Sequence, residues 1–179
     1  MAGGEKQRIS YCAVCDGFFY KDKVVAVVGG GDTALGDALY LSKLAKTVYL
    51  IHRRDEFRAN KALQKKVAET DNIVPVMNAV IKEVTGGENA EGRYLYAKRR
   101  GKRTIAVDGV FCAIGSVPNT QALEGVCELD ESGYVKAGED GITTAKGLFV
   151  AGDVRTTPLR QVITAAADGA NALLLRKNI

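Results

Sequence analysis

Apolar residues along this chain alternate between two spacings. Lys23 to Val28 is a β-branched apolar run that ends in glycines, the pattern of a buried strand. From Asp32 to Leu44, Leu35, Ala38, Leu39 and Leu41 fall at helical spacing. Thr47 to Ile51 predicts a second strand. Arg58 to Thr70 predicts a second helix with Ala62, Leu63 and Val67 on one face. Strand, helix and strand in this order make the smallest parallel unit of an α/β fold.

The texture changes after Asn72. Val76 to Thr85, Arg93 to Arg99 and Arg103 to Val107 read as three antiparallel strands, separated by Gly86-Gly87 and Arg100-Gly101-Lys102. Val110 to Ile114 is again an apolar strand and stops at Gly115-Ser116-Val117-Pro118-Asn119. The expected fold is therefore α/β and Rossmann-like, a parallel sheet with an inserted antiparallel meander, the two joined in one mixed sheet. Glu124 to Lys146 is glycine-rich and acidic and reads as connection. Gly147 to Asp153 predicts a buried strand ending at an acid, and Pro158 to Arg176 an alanine-dense helix.

Composition narrows the function classes. The 179 residues allow one ordinary domain and a partner segment. With 46% hydrophobic and 26% charged residues, the chain carries too much apolar material for disorder. Its net charge of +4 suits an anionic ligand and does not call for nucleic acid. No apolar run is long enough to cross a bilayer, and Met1 to Lys6 lacks the apolar core of a signal peptide. The expected setting is cytoplasmic, where a close cysteine pair is catalytic rather than structural. Cys12, Cys15, Cys112 and Cys127 do not form two metal-binding pairs, since fourteen residues separate the last two. The only histidine, His52, stands among arginines that would repel a cation, so no metal site is expected.

Three motifs carry chemistry. Gly29-x-Gly31-x-x-Ala34 follows a strand and opens a helix, as a dinucleotide-binding turn must. The first glycine permits the turn and the second lets a pyrophosphate approach the backbone. The small Ala34 lets the helix pack on the strand, and free amides at its start, near Asp32 and Thr33, face the anion. His52-Arg53-Arg54, with Arg58 beyond, falls where the second strand ends, twenty-two residues after Gly31 to Arg53 (53 − 31). An acid there would bond an unmodified ribose, whereas guanidiniums hold a 2′-phosphate, so NADPH is favoured over NADH. Ile114 and Gly115, closing the later strand, are further candidates beside the cofactor.

The third motif is Cys12-Ala13-Val14-Cys15-Asp16-Gly17. A pair at this spacing closes a small disulfide that two electrons reopen. One thiolate attacks an external disulfide while the other resolves the mixed species. Asp16 is placed to take and return the proton. Cys112 reads as core and Cys127 as an incidental thiol in a loop. Lys98-Arg99-Arg100-Gly101-Lys102-Arg103 has no interleaved aromatics and reads as a solvated turn, not a nucleic-acid patch.

With these motifs in hand, the chain resembles the C-terminal portion of the low-molecular-weight bacterial thioredoxin reductases, flavoproteins with two dinucleotide folds. Resemblance spans residues 8–179 and extends to Gly147 through Val154 and Arg160 through Ala166. It implies that Cys12 and Cys15 are the redox pair and Asp16 their acid/base. It also implies that Arg53, Arg54 and Arg58 hold the 2′-phosphate of NADPH. Asp153 would contact the ribityl–pyrophosphate region of FAD, and Arg160, Gln161 and Val162 would line its ring. Electrons would pass from NADPH through FAD to the cysteine pair and on to thioredoxin, with the intact family member a homodimer. The implied domains are 8–119, binding NADPH and bearing the cysteines, and 120–179, the C-terminal piece of the FAD domain.

Two departures shape the expectation. Family members begin with an FAD-binding half that has its own glycine-rich turn, and no such segment stands ahead of Cys12. A truncated reading frame, or a half supplied by another chain, is expected, with weak FAD retention and little turnover. Gly36-Asp37 also stands where a pair of acids is expected. Two other readings stay open at this point: a related flavin disulfide reductase with another acceptor, and a stand-alone NADP-binding or redox-sensing module.

Overall fold

A computed structural model describes residues 9–83, 92–97 and 101–176. Contacts divide the chain into two compact units, Met1–Gly115 and Ser116–Ile179.

The first unit is built on a five-stranded sheet in which every pairing is parallel. Its strands are β1 (Ile9–Ser10), β2 (Val24–Val28), β3 (Thr47–Ile51), β4 (Ile73–Val76) and, later in the chain, β8 (Gly109–Cys112), in the order β1-β8-β2-β3-β4. Val25 and Val27 of β2 and Val48 and Leu50 of β3 are fully buried, so one sheet face forms a dry core with α2 (Asp32–Leu41). Ala34, Leu35, Ala38 and Leu41 supply the helix side of that core. Val110 and Phe111 of β8 close the sheet beside β2. This layering follows from the two apolar periods in the sequence.

The meander does not join this sheet. β5 (Ala79–Val80), β6 (Gly92–Ala97) and β7 (Gly101–Val107) form a separate three-stranded antiparallel sheet. The expected mixed sheet is therefore corrected to two sheets. Val76, expected in the meander, ends parallel strand β4 instead, paired with Ile51. Asn78, at φ +54°, turns the chain between β4 and β5 in the left-handed region that asparagine tolerates. The expected strand residues 84–85 and 98–99, and the basic turn at 98–100, lie outside the described residues.

α3 spans Lys61–Ala68, three residues short of the expected start at Arg58. The side chain of Asn60 accepts from the Leu63 amide at 2.9 Å and caps the helix there. Asn60 is itself extended, with ψ 151°, so the helix begins after it, while the amides of Arg58 and Ala59 bond to the Gly30 carbonyl.

Helix α2 contains Gly36, where an added Cβ would meet nothing within 4 Å. Glycine in a helix interior costs about 1 kcal/mol relative to alanine, through backbone entropy alone. Gly36→Ala should raise the denaturant midpoint by an amount corresponding to about 1 kcal/mol, with an unchanged slope.

The second unit has little regular structure before α4 (Val162–Arg176). The expected strand from Gly147 to Asp153 does not form. Phe149 makes an isolated antiparallel bridge with Ile142, and Gly152–Val154 is a 3-10 turn. At φ +80°, Gly152 turns the chain out of extended geometry before a strand can continue. The core is small, centred on Val135, Tyr134 and Val150, and holds one buried ion pair. Arg155 donates from Nε to Asp168 Oδ2 and from Nη2 to Oδ1, each at 2.6 Å. The amide of Gly152 adds a third bond to Asp168, at 3.0 Å.

Candidate functional site

All five strands of the main sheet are parallel, so their C-terminal ends share one edge. β1 delivers Cys12 there, β2 the turn Gly29–Gly31, β3 the segment from His52, and β8 the segment Ala113–Gly115. The chain leaves β2 toward β3 on one side and returns as β8 on the other. That reversal of strand order opens a crevice at the edge.

A cleft of about 460 Å³ lies at this edge. Val28 and Ile51 line it, with Gly29, Gly30, Gly31 and Thr33 on one wall and His52, Arg53 and Arg58 on another. Val80, Ile81, Ile114 and Gly115 complete it. Gly29 and Gly30 are sterically required, whereas a Cβ on Gly31 would meet nothing within 4 Å. At Gly29 (φ +153°) a Cβ would strike the carbonyl oxygen of Ala113 and sit 2.6 Å from the Ala34 Cβ. At Gly30 it would strike the His52 ring. Gly31 lies before the first turn of α2 and offers no side-chain cap, so the opening amides of α2 have no intrahelical acceptor.

Several predicted residues reach this cleft, and others take supporting places. Ala34 is fully buried and packs against Gly29, which is its expected helix–strand contact. Asp32, expected beside the anion through the opening amides of α2, accepts from Asn60 with its carboxylate. His52 is only 6% exposed. Its Nε2–H donates to the Glu56 carbonyl at 3.0 Å, and its ring lies 5.5 Å from that of Phe57. Burial pushes its imidazole below the ordinary value, and the guanidiniums of Arg54, Arg58 and Arg53 push the same way, against the Glu56 bond. His52 thus lines the cleft together with Arg53 and Arg58, its imidazole held toward the neutral form. Arg53, Arg54 and Arg58 are exposed, and no ion pair engages them among the described residues. Arg54 lies outside the cleft lining, and its carbonyl accepts from Asn78 at 3.0 Å.

The cysteine segment is held from beneath. Ala13, Gly17 and Tyr20 are buried at near-helical spacing along α1 (Ala13–Asp16) and the 3-10 turn after it. Gly17 packs against Tyr40 and Leu41, while Tyr20 meets Phe111 edge-on, with centroids 5.2 Å apart. Cys12 and Cys15 are joined in a disulfide with Cα atoms 5.3 Å apart. Cys15 is exposed, Cys12 half-buried, and Phe18 and Phe19, three and four residues beyond Cys15, are 72% and 70% exposed. Asp16 is half-buried. Ser10, which sequence reasoning missed, donates its hydroxyl to Asp16 Oδ2 at 2.7 Å and accepts from the Cys12 amide at 3.1 Å. A serine two residues before a cysteine has no local signature; the turn from β1 into α1 brings it to Asp16, six residues on. With strands spaced about 4.8 Å apart, β1 and β2 stand roughly 10 Å apart across β8.

In the second unit Asp153 is exposed in its 3-10 turn. Arg160 lays its guanidinium 4.2 Å from the Tyr134 ring centroid. The Gln161 amide donates to Thr164 Oγ1 at 3.1 Å, ahead of α4, and Val162 is 88% exposed. Asp153, Arg160 and Val162 are exposed and Gln161 is half-buried. The Arg155–Asp168 pair was also missed; nothing in its spacing distinguishes it from surface charge.

Known proteins resemble this chain throughout its length. It is 41% identical over 180 residues to a thioredoxin reductase of Peptoclostridium litorale, covering 94% of this chain and 57% of that protein. It is 45% identical over 176 residues to one from Coxiella burnetii, covering 93% and 55%. The crystal structure of thioredoxin reductase from Streptococcus pyogenes superposes with a TM-score of 0.89 at 36% identity, over 96% of this chain and 57% of that one. The chain thus spans about half the length of the relatives it matches. The model of the pyridine nucleotide-disulphide oxidoreductases matches residues 2–169. The chain belongs to the pyridine nucleotide-disulphide oxidoreductase family.

Proposed function

We propose that this chain carries the NADPH-binding and dithiol-bearing portion of a thioredoxin reductase. One observation bears most of the weight: a disulfide with Cys15 exposed, and a cleft flanked by arginines without an ion pair among the described residues, share the C-terminal edge of one parallel sheet. The cleft's volume, its glycine cradle and its free helix amides suit a dinucleotide pyrophosphate. Arg53 and Arg58 on the wall, with Arg54 beside them, suit a 2′-phosphate. Ile114 and Gly115 bound the same space.

NADPH is thus the expected electron donor, and a bound FAD would supply the two-electron relay between it and sulfur. Asp153, Arg160, Gln161 and Val162 are the residues this chain offers a flavin. Reduction of the Cys12–Cys15 bond takes two electrons and two protons and leaves two thiols. Asp16, oriented by Ser10, is the group beside the pair that carries a proton in and out. The reduced pair then attacks the disulfide of thioredoxin: a thiolate forms a mixed disulfide, the second cysteine displaces it, and thioredoxin leaves as a dithiol. We assign the chain to the cytoplasm and its full-length form to a homodimer. No helix among the described residues is long and apolar enough to cross a membrane.

Thiol exchange needs no flavin, so it can be tested on the chain itself. Reduced Cys12→Ser and Cys15→Ser variants are mixed with oxidised thioredoxin and with glutathione disulfide. One variant should accumulate a mixed disulfide with thioredoxin at least tenfold faster than with glutathione, and NADPH should bind far tighter than NADH. Equal nucleotide affinities together with no mixed disulfide would rule the proposal out. Nucleotide preference without thioredoxin exchange would favour the redox-sensing module.

A further inference from the structure

Four hydrogen bonds tie the segment Arg58–Asn60 to the glycine turn. The Gly30 carbonyl accepts from the amides of Arg58, at 2.7 Å, and Ala59, at 3.1 Å. Asp32 Oδ1 accepts from the Asn60 amide at 2.7 Å and from its Nδ2 at 3.2 Å, across 28 residues of sequence. Asn60 in turn caps α3. The residue that cradles phosphate and the residue that supplies a wall cation are thus held at a fixed separation by two acceptors on the turn.

Asp32 is otherwise an odd occupant of its place. It sets a negative charge on the first turn of α2, which favours the helix but opposes any phosphate bound at the same amides. Its carboxylate accepts two bonds from Asn60 and so does a positioning job there.

We propose that the Asp32–Asn60 clasp sets the reach of Arg58 and thereby the preference for a nucleotide bearing a 2′-phosphate. This rests on the nucleotide reading given above. Asp32 acts through Asn60 and Arg58 and is a positioning residue. Its two effects have different signatures. The charge opposes every nucleotide at the turn equally, with or without the 2′-phosphate. The acceptor role acts on Asn60 and, through the chain joining Asn60 to Arg58, only on the 2′-phosphate.

Dissociation constants for NADP⁺ and NAD⁺, measured by calorimetry on the whole chain, separate these effects. Asp32→Ala should lower the NADP⁺ preference about fivefold, the low end of coupling between sites, without weakening NAD⁺. Asp32→Asn keeps an acceptor at the same position and loses the charge. It should tighten both nucleotides by a similar factor and retain the preference, a rescue that general loss of structure would not produce. Asn60→Ser retains a capping hydroxyl but loses the Nδ2 bond, and should lower the preference about twofold. A wild-type chain that prefers NADP⁺, with the preference unchanged in Asp32→Ala and Asn60→Ser, overturns the clasp alone. A wild-type chain with no preference overturns the nucleotide reading and the clasp with it.

Discussion

Replacing Arg53 and Arg58 together with alanine should raise the dissociation constant for NADPH about 100-fold and leave that for NADH within about twofold. The two guanidiniums line the cleft, and neither is ion-paired among the described residues. A 2′-phosphate would therefore meet donors that need not abandon another partner. A hydrogen bond to a charged group is worth about 1.5–3 kcal/mol, so two of them account for roughly 3 kcal/mol. Because both arginines are exposed, the wild-type preference should also shrink as ionic strength rises. The double variant should lose most of that salt dependence. Titration with both nucleotides at two salt concentrations checks this directly. An unchanged NADPH affinity would mean that the arginine loop binds something else.

The second large effect belongs to stability. Asp168→Ala should cost the second unit about 3 kcal/mol, because it leaves the Arg155 guanidinium buried without its partner. Only the unit's small core stands against that loss. The bonds from Arg155, and then that from the Gly152 amide, hold the Asp168 carboxyl below the ordinary carboxylate range despite burial. Its folded-state value being depressed, the carboxylate's contribution is full above the unfolded value of about 4 and is lost as pH falls below that through the folded value. Urea unfolding at pH 7 and pH 3, followed by tyrosine emission and calorimetry, should show the variant losing most at pH 7. At pH 3 the difference between the two chains should narrow. A constant difference across this range would show that the pair's charge is not what matters.

Local pattern and spacing were enough to place the parallel strand–helix–strand unit, the glycine turn, the arginine loop and the cysteine pair. β3 begins and ends where its apolar run does, and β2 falls one residue short. Each of these signals is local, since a strand, a turn or a cysteine pair is defined by residues a few positions apart. Tertiary structure decided the rest, because it depends on groups that meet across long stretches of chain. Arg58 is fastened to the glycine turn because Gly30, twenty-eight residues earlier (58 − 30), takes its amide. β1 joins the sheet only by pairing with β8, with Ser10 opposite Phe111, a hundred and one residues on (111 − 10). The meander forms its own sheet because the residue at Asn78 turns the chain away from β4 before β5 begins. Asp32 and His52 carry residue types that fit a cofactor site, yet their hydrogen bonds go to Asn60 and Glu56. Sequence can name the chemistry available at such a position, but only the packed chain determines which neighbour uses it.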